Sequence, residues 1–232
     1  MGVSLEAGRT VLVVREMGSL VESLMLKLQN AEIRAQREGW IDADELAKEL
    51  GITERRLTMH IQKATAADLP KAMQCYEEII DKTPNIEHLA MWRKGQHPTE
   101  ETILSYINKG EFYILWDHET IAGMMALANG VSDTYRTINW ITKTTDTEAA
   151  ELHVLGVNPD YQGKGIARQL VHEALRLCKE NGKKVLRLDV IGTNTVAKKL
   201  YPSQGFVFCD TGHLSIRGYE DMEFLFYEQK IE

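Results

Sequence analysis

From about residue 60 onward, apolar positions recur at two spacings, one typical of helices and one typical of strands. The helical spacing is clearest after Ile166, and Asn181-Gly182 ends that run. Near the end of the chain the apolar positions alternate instead, with Met222, Phe224 and Phe226 on one face of a predicted strand. The apolar face of the helix consists of Leu170, Val171, Ala174, Leu175 and Cys178.

Residues 60–232 follow a mixed order of predicted elements, bounded by Gly, Pro, Asn and Asp turn signals. This order predicts an α/β fold in which a mixed sheet is flanked by helices. The predicted elements are a strand at 60–64, a helix at 65–82, a loop at 83–98, a helix at 99–109, strands at 111–116, 121–127, 135–141 and 151–157, a helix from 166, a strand at 185–190, a further helix and a final strand.

The first part of the chain follows a different pattern. Leucines four residues apart make an apolar stripe on a predicted helix at 16–38. A second helix is predicted to follow an Asp42 cap, and residues 45–57 resemble a helix-turn-helix. We therefore predict a helical appendage at 1–59 and a separate domain at 60–232.

The helix-turn-helix resemblance raises the possibility of DNA binding. In that reading Thr53, Arg55 and Arg56 would begin the recognition helix. However, segment 1–60 carries eight Lys and Arg against ten Asp and Glu, which is no basic footprint. The helix would also have to end within a few residues, since a strand is predicted near His60. These observations favour a docking or homodimer-forming appendage over a DNA-binding one.

Composition is that of an ordinary globular protein, with 44% hydrophobic and 26% charged residues in 232. The apolar runs are too short to span a bilayer and the N-terminus lacks a secretion-signal layout, so we expect a cytoplasmic location and no membrane partner. The three cysteines lack CxxC spacing, which predicts free thiols rather than a zinc site or disulfides. The net charge of −7 gives no general attraction to nucleic acid.

Residues 151–167 combine a strand, a loop with two glycines and the start of a helix. The apolar run ends at Val157, and Gly163 and Gly165 precede the helix. Such a loop presents free backbone N–H groups to one point, and the helix N-terminus adds partial positive charge. The glycines lack a Cβ that would block a ligand, and Lys164 supplies a mobile cation. The stretch predicts a phosphate or pyrophosphate site, although it matches neither the dinucleotide fingerprint nor the Walker loop.

Two motifs carry a resemblance to a known family. The first, Arg/Gln-x-x-Gly-x-Gly/Ala, is matched at Gln162, Gly165 and Ala167. The second, Asn-x-x-Ala-x-x-x-Tyr-x-x-x-Gly-Phe, begins at Asn194 and includes Tyr201, with every spacing kept. The motifs lie about one helix and one strand apart. From about residue 60 to its end, the chain resembles the GNAT superfamily of N-acetyltransferases.

This resemblance implies the GNAT fold, acetyl-CoA as cosubstrate, no metal, and direct transfer of an acetyl group to a primary amine of a small molecule or peptide. It implies that a backbone N–H near Leu155 or Gly156 meets the developing oxyanion, and that Val157 pairs with the pantetheine arm. Asn194 would hydrogen-bond the pantetheine. The pyrophosphate would be held by the loop residues Gln162, Gly163, Lys164, Gly165, Ile166 and Ala167.

The resemblance also suggests acid–base residues. Glu151 stands where one branch of the family carries a general base, and His153 lies two residues on, hence on the same strand face. Either residue, or ordered water, would remove the proton of the amine; alternatively, Glu151 is a solvated strand-edge residue and His153 a packing residue. Tyr201 matches the acid that protonates the leaving thiolate, although it also fits simple packing at a helix end.

The acceptor site is implied to lie near the first two helices and the loop between them. Met91, Trp92 and His97 fall in that loop, and Tyr135 and Trp140 in the predicted strand at 135–141 would add aromatic walls. These groups suit a small amine or a peptide end. They also fit core packing, and for Trp140 packing is the favoured reading.

Three functions follow from these observations. The leading one is an acetyl-CoA-dependent N-acetyltransferase. The alternative is a CoA- or metabolite-sensing transcriptional regulator that uses the helix-turn-helix-like segment, and the third is a catalytically silent interaction module. The presence of both Tyr201 and Glu151 favours the enzyme, because a pure binding protein has no need of a leaving-group acid.

Overall fold

A computed structural model of the chain describes residues 2–3, 41–42, 59–216 and 219–231. The chain consists of two compact units, Met1–Met59 and His60–Glu232. In the first unit the described residues form two short antiparallel strands, β1 (Gly2–Val3) and β2 (Ile41–Asp42). The helices predicted at 16–38 and after Asp42, and the helix-turn-helix-like segment, lie outside the described residues.

The second unit is built on a seven-stranded mixed sheet with the order β3-β4-β5-β6-β7-β9-β8. The pair β6–β7 is parallel, whereas β4–β5, β5–β6, β7–β9 and β8–β9 are antiparallel. The strands are β3 (Met59–Lys63), β4 (Phe112–Asp117), β5 (Thr120–Asn129), β6 (Ala149–Val157), β7 (Val185–Ile191), β8 (Val207–Ile216) and β9 (Tyr219–Lys230).

Six α-helices lie in the described ranges of this unit, and short 3-10 turns occur at Ala66–Asp68, Asp146–Glu148 and Pro159–Tyr161. None of the helices in the described ranges is long and apolar enough to cross a membrane. The α-helices are α1 (Leu69–Lys82), α2 (Ile86–Ala90), α3 (Glu100–Asn108), α4 (Asp133–Arg136), α5 (Ile166–Glu180) and α6 (Ala197–Ser203).

The helices bury the faces that their sequence patterns predict. The apolar stripe of α5 packs on β5 and β6. Helices α1 and α3 cover β4 and β5, in a cluster that includes Tyr76, Ile103, Phe112, Ile114 and Met124. A second cluster lies under the segment between β5 and β6, and its buried members are Met91, Tyr135, Trp140, Ile191, Phe224 and Phe226.

The two central parallel strands pair over only three residues and then diverge. Strand β6 pairs with β7 from Ala149↔Val185 to Glu151↔Arg187, yet β7 continues to Ile191 and β6 to Val157. Beyond Glu151, β6 stays paired with β5 and β7 stays paired with β9. A cleft therefore opens in the middle of the sheet and widens toward the carboxyl ends of β6 and β7.

The predicted α/β mixed sheet flanked by helices is confirmed, including the strand–loop–helix stretch that leads into α5. The predicted strand at 135–141 is wrong. Helix α4 and an irregular segment occupy that stretch, where the Trp140 Nε1–H donates to the Tyr135 carbonyl at 2.7 Å and Asn139 bonds to Asp210. Helix α2 in the predicted loop and the edge strand β8 were not predicted.

Candidate active site

Glu151 and His153 form a hydrogen-bonded pair on β6, at the point where the cleft opens. His153 Nε2 lies 3.0 Å from Glu151 Oε2. The Glu151 side chain is 3% exposed, whereas that of His153 is 22% exposed. A carboxylate bound at Nε2 favours the tautomer with its proton there, which leaves Nδ1 as the acceptor of the ring. His153 is therefore the member of the pair that solvent can reach.

The second oxygen of Glu151 is held by a residue between β5 and β6. Oε1 accepts the backbone N–H of Ser132 at 2.7 Å and its hydroxyl at 3.1 Å. Both carboxylate oxygens thus have partners, which offsets the cost of burying the group. Glu151 is placed to orient His153 rather than to reach a ligand itself.

Two tyrosine rings flank the imidazole of His153. Tyr106, on α3, stacks on it with ring centroids 6.2 Å apart and an interplanar angle of 24°. Tyr135, on α4, lies 5.8 Å away with an angle of 55°. Contacts on two sides restrict the ring to a small range of orientations, as a proton-transfer group requires.

Asp189 lies on β7, on the other side of the cleft. The Tyr135 hydroxyl donates a hydrogen bond of 2.6 Å to Asp189 Oδ1. Burial, together with the charge of Asp189, raises the pKa of Tyr135 well above its ordinary value, so the phenol remains a donor. One tyrosine thus contacts His153 on β6 and binds Asp189 on β7.

Tyr201 lies on α6, which follows β7 in the chain. Its ring is buried and packs edge-to-face on Phe206, with centroids 5.5 Å apart. Burial, with a smaller contribution from the charge of Asp189, raises its pKa well above the ordinary value of 10.0. The phenol is therefore protonated at neutral pH, and Asp189 places Tyr201 near the same cleft.

The predicted phosphate loop has an open geometry. Gly163 and Gly165 adopt φ values of 74° and 81°, which favour glycine, and a Cβ built on Gly163 would meet no atom within 4 Å. Helix α5 begins at Ile166, so the N–H groups of its first turn have no partner within the helix. Lys164 Nζ bonds the Asp160 carbonyl at 2.5 Å, within reach of the loop.

Gln162 and Ala167 flank that opening. The Gln162 amide donates to Thr83 Oγ1 at 3.0 Å and to the Val157 carbonyl at 3.3 Å, so it ties the loop to β6 and to the end of α1. Ala167 lies in the first turn of α5. The side chain of Gln162 therefore shapes the loop, while its backbone N–H donates to the Pro159 carbonyl at 3.2 Å and is not one of the free N–H groups.

Strand β6 is irregular in the cleft. Val154 has a φ of 44°, and its carbonyl accepts the Tyr76 hydroxyl at 2.6 Å. Leu155, Gly156 and Val157 follow this bulge, and within the described residues no strand pairs with them on the β7 side. Their edge of β6 is therefore available to an extended ligand.

Asn194 sits in the turn between β7 and α6. Its Oδ1 accepts the backbone N–H of Ala197 at 2.9 Å and so caps the beginning of the helix. The amide NH₂ is not used in that bond. That NH₂ can donate a hydrogen bond to a ligand.

Of the three aromatic residues predicted to line an acceptor site, only Tyr135 lies beside the acid–base groups. Trp92 is 6% exposed and packs edge-on against Tyr76, with its ring against Gly156. Trp140 is 7% exposed and stacks on the Arg187 guanidinium, 4.5 Å from the ring centroid. The structure places both tryptophans in packing roles, since their rings are already covered by protein atoms.

Sequence reasoning missed Asp189, Ser132 and Tyr106. Asp189 carries a weak signal, because an acidic residue stands in a strand that is apolar at five of its seven positions. Ser132 and Tyr106 carry none, since their role follows from contacts between segments far apart in the chain. Among the described residues, no group of His, Cys, Asp and Glu is arranged to hold a metal ion.

Comparison with known proteins identifies relatives of this arrangement. A family model described as the acetyltransferase (GNAT) family matches residues 72–206. An uncharacterized N-acetyltransferase of Methanocaldococcus jannaschii is 35% identical over 68 residues, which are 29% of this chain and 30% of that relative. A mycothiol acetyltransferase of Propionibacterium freudenreichii subsp. shermanii is 27% identical over 185 residues, 74% of this chain and 57% of that relative.

The chain thus spans less than two thirds of the length of these two relatives. Among solved structures, YncA of Salmonella typhimurium, determined with its cofactor acetyl-CoA, is similar with a TM-score of 0.56. The two sequences are 18% identical, and the match covers 75% of this chain and 94% of that one. At this identity the likeness shows a shared fold.

Proposed function

The chain belongs to the acetyltransferase (GNAT) family, and from that premise we propose that it transfers the acetyl group of acetyl-CoA directly to a primary amine of a small molecule or peptide. Residues 60–232 are the proposed catalytic domain. One observation supports the proposal: the pairing of β6 with β7 ends at Glu151, where the Glu151–His153 pair lies on the strand that leads into the glycine loop.

The residues present suit acetyl-CoA. The edge of β6 from Leu155 to Val157, which pairs with no strand on the β7 side, would hold the extended pantetheine arm, and the N–H near Leu155 or Gly156 would stabilise the developing oxyanion. The open space at Gly163 and the N–H groups at the start of α5 support the pyrophosphate. When bound, acetyl-CoA supplies an acetyl group activated as a thioester.

His153 is the proposed proton acceptor. An amine at neutral pH is protonated and must lose a proton before its nitrogen can attack. Nδ1 of His153 would take that proton, while Glu151 holds the ring through Nε2 and stabilises the imidazolium that forms. Because Glu151 is buried and bound at both oxygens, it acts in this proposal through His153.

Tyr201 is the proposed proton donor. As the amine nitrogen bonds to the acetyl carbon and the carbon–sulfur bond breaks, the thiolate that leaves takes a proton from the phenol. The raised pKa means that the phenol enters the reaction protonated. Starting from the ammonium, the nitrogen loses two protons. The first passes through His153 to solvent before attack, and the second, lost as the amide forms, balances the proton that Tyr201 gives to the thiolate. The net reaction therefore gives an amide, a free thiol and one released proton.

The amine itself is proposed only as a class. Tyr106, which is only partly buried, presents an aromatic ring beside His153 that suits an amine through apolar and cation–π contact. Asp189 adds a negative charge on the opposite side. A small molecule and a peptide N-terminus both satisfy these contacts.

The test is acetyl-CoA turnover, followed as thiol release, against a panel of amino acids, polyamines, aminoglycosides and peptides. Release above the acceptor-free rate with one class supports the proposal and identifies the acceptor chemistry. Binding of acetyl-CoA in a calorimeter without release for any amine would remove the catalytic proposal and leave a CoA-binding protein.

A further inference from the structure

Residues 130–145, which connect β5 to the turn before β6, form a strap across one face of the sheet. They are bonded to four strands that are neighbours in it. Ser132 binds Glu151 on β6, and Tyr135 binds Asp189 on β7. Asn139 donates from its backbone and side-chain nitrogens to Asp210 of β8, at 3.0 and 2.9 Å.

The far end of the strap is anchored on a buried charge pair. Thr142 donates its N–H to Glu228 Oε1 of β9 at 2.7 Å, and its carbonyl accepts Arg187 Nη2 of β7 at 2.8 Å. Arg187 and Glu228 are 4% and 3% exposed, and Trp140 covers the guanidinium. Buried charges require their partners, so this end of the strap is fixed in position.

The near end of the strap crosses the cleft where it opens. The last residue pair joining β6 to β7 is Glu151↔Arg187, and Asp189 lies two residues beyond it on β7. Past that point no ladder hydrogen bond within the described residues sets the distance between the two strands. The bonds from Ser132 and Tyr135 are therefore the ones that connect the two sides.

We propose that this strap is a positioning element of the active site, in which Ser132 through Glu151 and Tyr135 through Asp189 hold the acid–base groups on the two sides of the cleft at a fixed spacing. The inference rests on the proposed function for its catalytic consequence. Tyr135 is then a positioning residue: its ring packs on His153 while its hydroxyl fixes Asp189, and it has no chemical step of its own.

The test is a double-mutant cycle of Tyr135→Phe and Asp189→Ala in the full chain. Phenylalanine keeps the ring packing and removes only the hydroxyl. We expect Tyr135→Phe to lower kcat about tenfold with the KM for acetyl-CoA within about twofold of wild type. In the Asp189→Ala background the same change should lower kcat no further, because the partner is already missing.

Tyr113→Phe is the matched control. Tyr113 is a buried tyrosine on β4, and its hydroxyl makes no hydrogen bond to another described residue. The kcat of the Tyr113→Phe variant should therefore equal that of the wild-type protein. The proposal is overturned if Tyr135→Phe behaves like Tyr113→Phe, or if it lowers kcat by the same factor with and without Asp189.

Denaturant midpoints separate failure of this inference from failure of the proposed function. If no amine is acetylated by the wild-type protein, the proposed function fails, and the cycle is then measured on unfolding. If the Tyr135–Asp189 hydrogen bond stabilises the protein, the double variant should lower the denaturant midpoint by less than the sum of the two single variants. Strict additivity would show that Tyr135 and Asp189 are not coupled and would overturn the strap itself.

Discussion

In the proposed mechanism the partly exposed His153 accepts the proton and the buried Glu151 orients it. The imidazole faces the cleft, while the carboxylate behind it is bound at both oxygens and is nearly inaccessible. The motif position alone suggests Glu151 as the base. The burial of the two side chains favours His153 for proton transfer and Glu151 for orientation.

Glu151→Gln is expected to lower kcat about 100-fold. In the variant the glutamine NH₂ faces Nε2 of His153 and donates to it, so Nε2 can no longer carry the ring proton. The proton then sits on Nδ1, the nitrogen that should accept the proton of the amine. The measurement is kcat for acetyl transfer alongside a binding titration with acetyl-CoA, for which no change is expected.

Glu111→Gln is the matched control, because Glu111 is also buried and also accepts two hydrogen bonds, both from Asn129. Glu111 immediately precedes β4, which β5 separates from β6. Glu111→Gln should therefore leave kcat unchanged. Equal losses of kcat in the two variants would indicate general destabilisation and would count against the paired role of Glu151 and His153.

Tyr201→Phe is expected to lower turnover about 100-fold and to leave acetyl-CoA affinity near wild type. Because burial raises the pKa of Tyr201 above 10.0, the acid form persists to higher pH than in a free tyrosine. The pH profile of kcat should therefore show no loss caused by this group near pH 10. An alkaline limb at that pH that disappears in Tyr201→Phe would contradict the assignment.

At the residue scale, sequence motifs could identify only groups that have a fixed spacing along the chain. Glu151, His153 and Tyr201 are of that kind. Ser132 and Asp189 join the site through bonds between segments 19 and 54 residues apart along the chain. No local pattern encodes such partners, so their contribution required the three-dimensional structure.

At the scale of elements, the loop before α5 can be tested with two glycines that differ only in location. Gly163 and Gly182 have φ values of 74° and 67°, and a Cβ on either would meet no atom within 4 Å. Alanine at each position should therefore cost similar stability, about 1 kcal/mol, from backbone strain. Gly163 lies in the proposed pyrophosphate loop, whereas Gly182 follows the other end of α5.

Gly163→Ala is expected to weaken acetyl-CoA binding about tenfold, and Gly182→Ala to leave it unchanged. Calorimetric titration gives both affinities, and thermal unfolding checks that the stability losses match. Equal affinities in the two variants would show that the loop does not approach the cosubstrate closely.

The elements themselves were predictable where local pattern and burial agree. Helix α5 has a continuous apolar stripe and an Asn-Gly end, and both features appear in the structure. The stretch from Tyr135 to Ile141 was predicted as a strand. Its side chains instead bind strands β7 and β8 and cover a buried arginine, so tertiary contacts override the local preference.

At the scale of the whole molecule, the buried Arg187–Glu228 pair joins two strands of the sheet to the strap. Burial lowers the pKa of Arg187, although Glu228 acts in the opposite sense. Removing one charge of such a pair leaves the other buried without its counter-ion. Arg187→Met is expected to destabilise the protein by about 3–5 kcal/mol.

The double variant Arg187→Met with Glu228→Leu should recover much of that loss, since no uncompensated charge is left in the interior. Denaturant unfolding of the wild-type protein and the single and double variants measures both effects. If the double variant loses the sum of the single losses, the pair is not coupled and the strap lacks the anchor described above.

The cleft is a property of the whole sheet, and neither the motifs nor the periodicity predicts its shape. It arises because β6 and β7 share only three residue pairs while each keeps its outer neighbour. The Glu151–His153 pair and the phosphate-type loop belong to one continuous segment through β6, whereas Tyr201 belongs to a second segment that follows β7. We propose that the residues around this cleft catalyse acetyl transfer to an amine.

The most direct measurement of that claim follows labelled acetyl groups from acetyl-CoA into a panel of primary amines, for the wild-type protein and Tyr201→Phe. We expect the label to appear in an amide of one class of amine, in proportion to the CoA released, and Tyr201→Phe to form that amide about 100-fold more slowly. Label that stays on CoA for every amine, or that transfers equally fast in the variant, would contradict it.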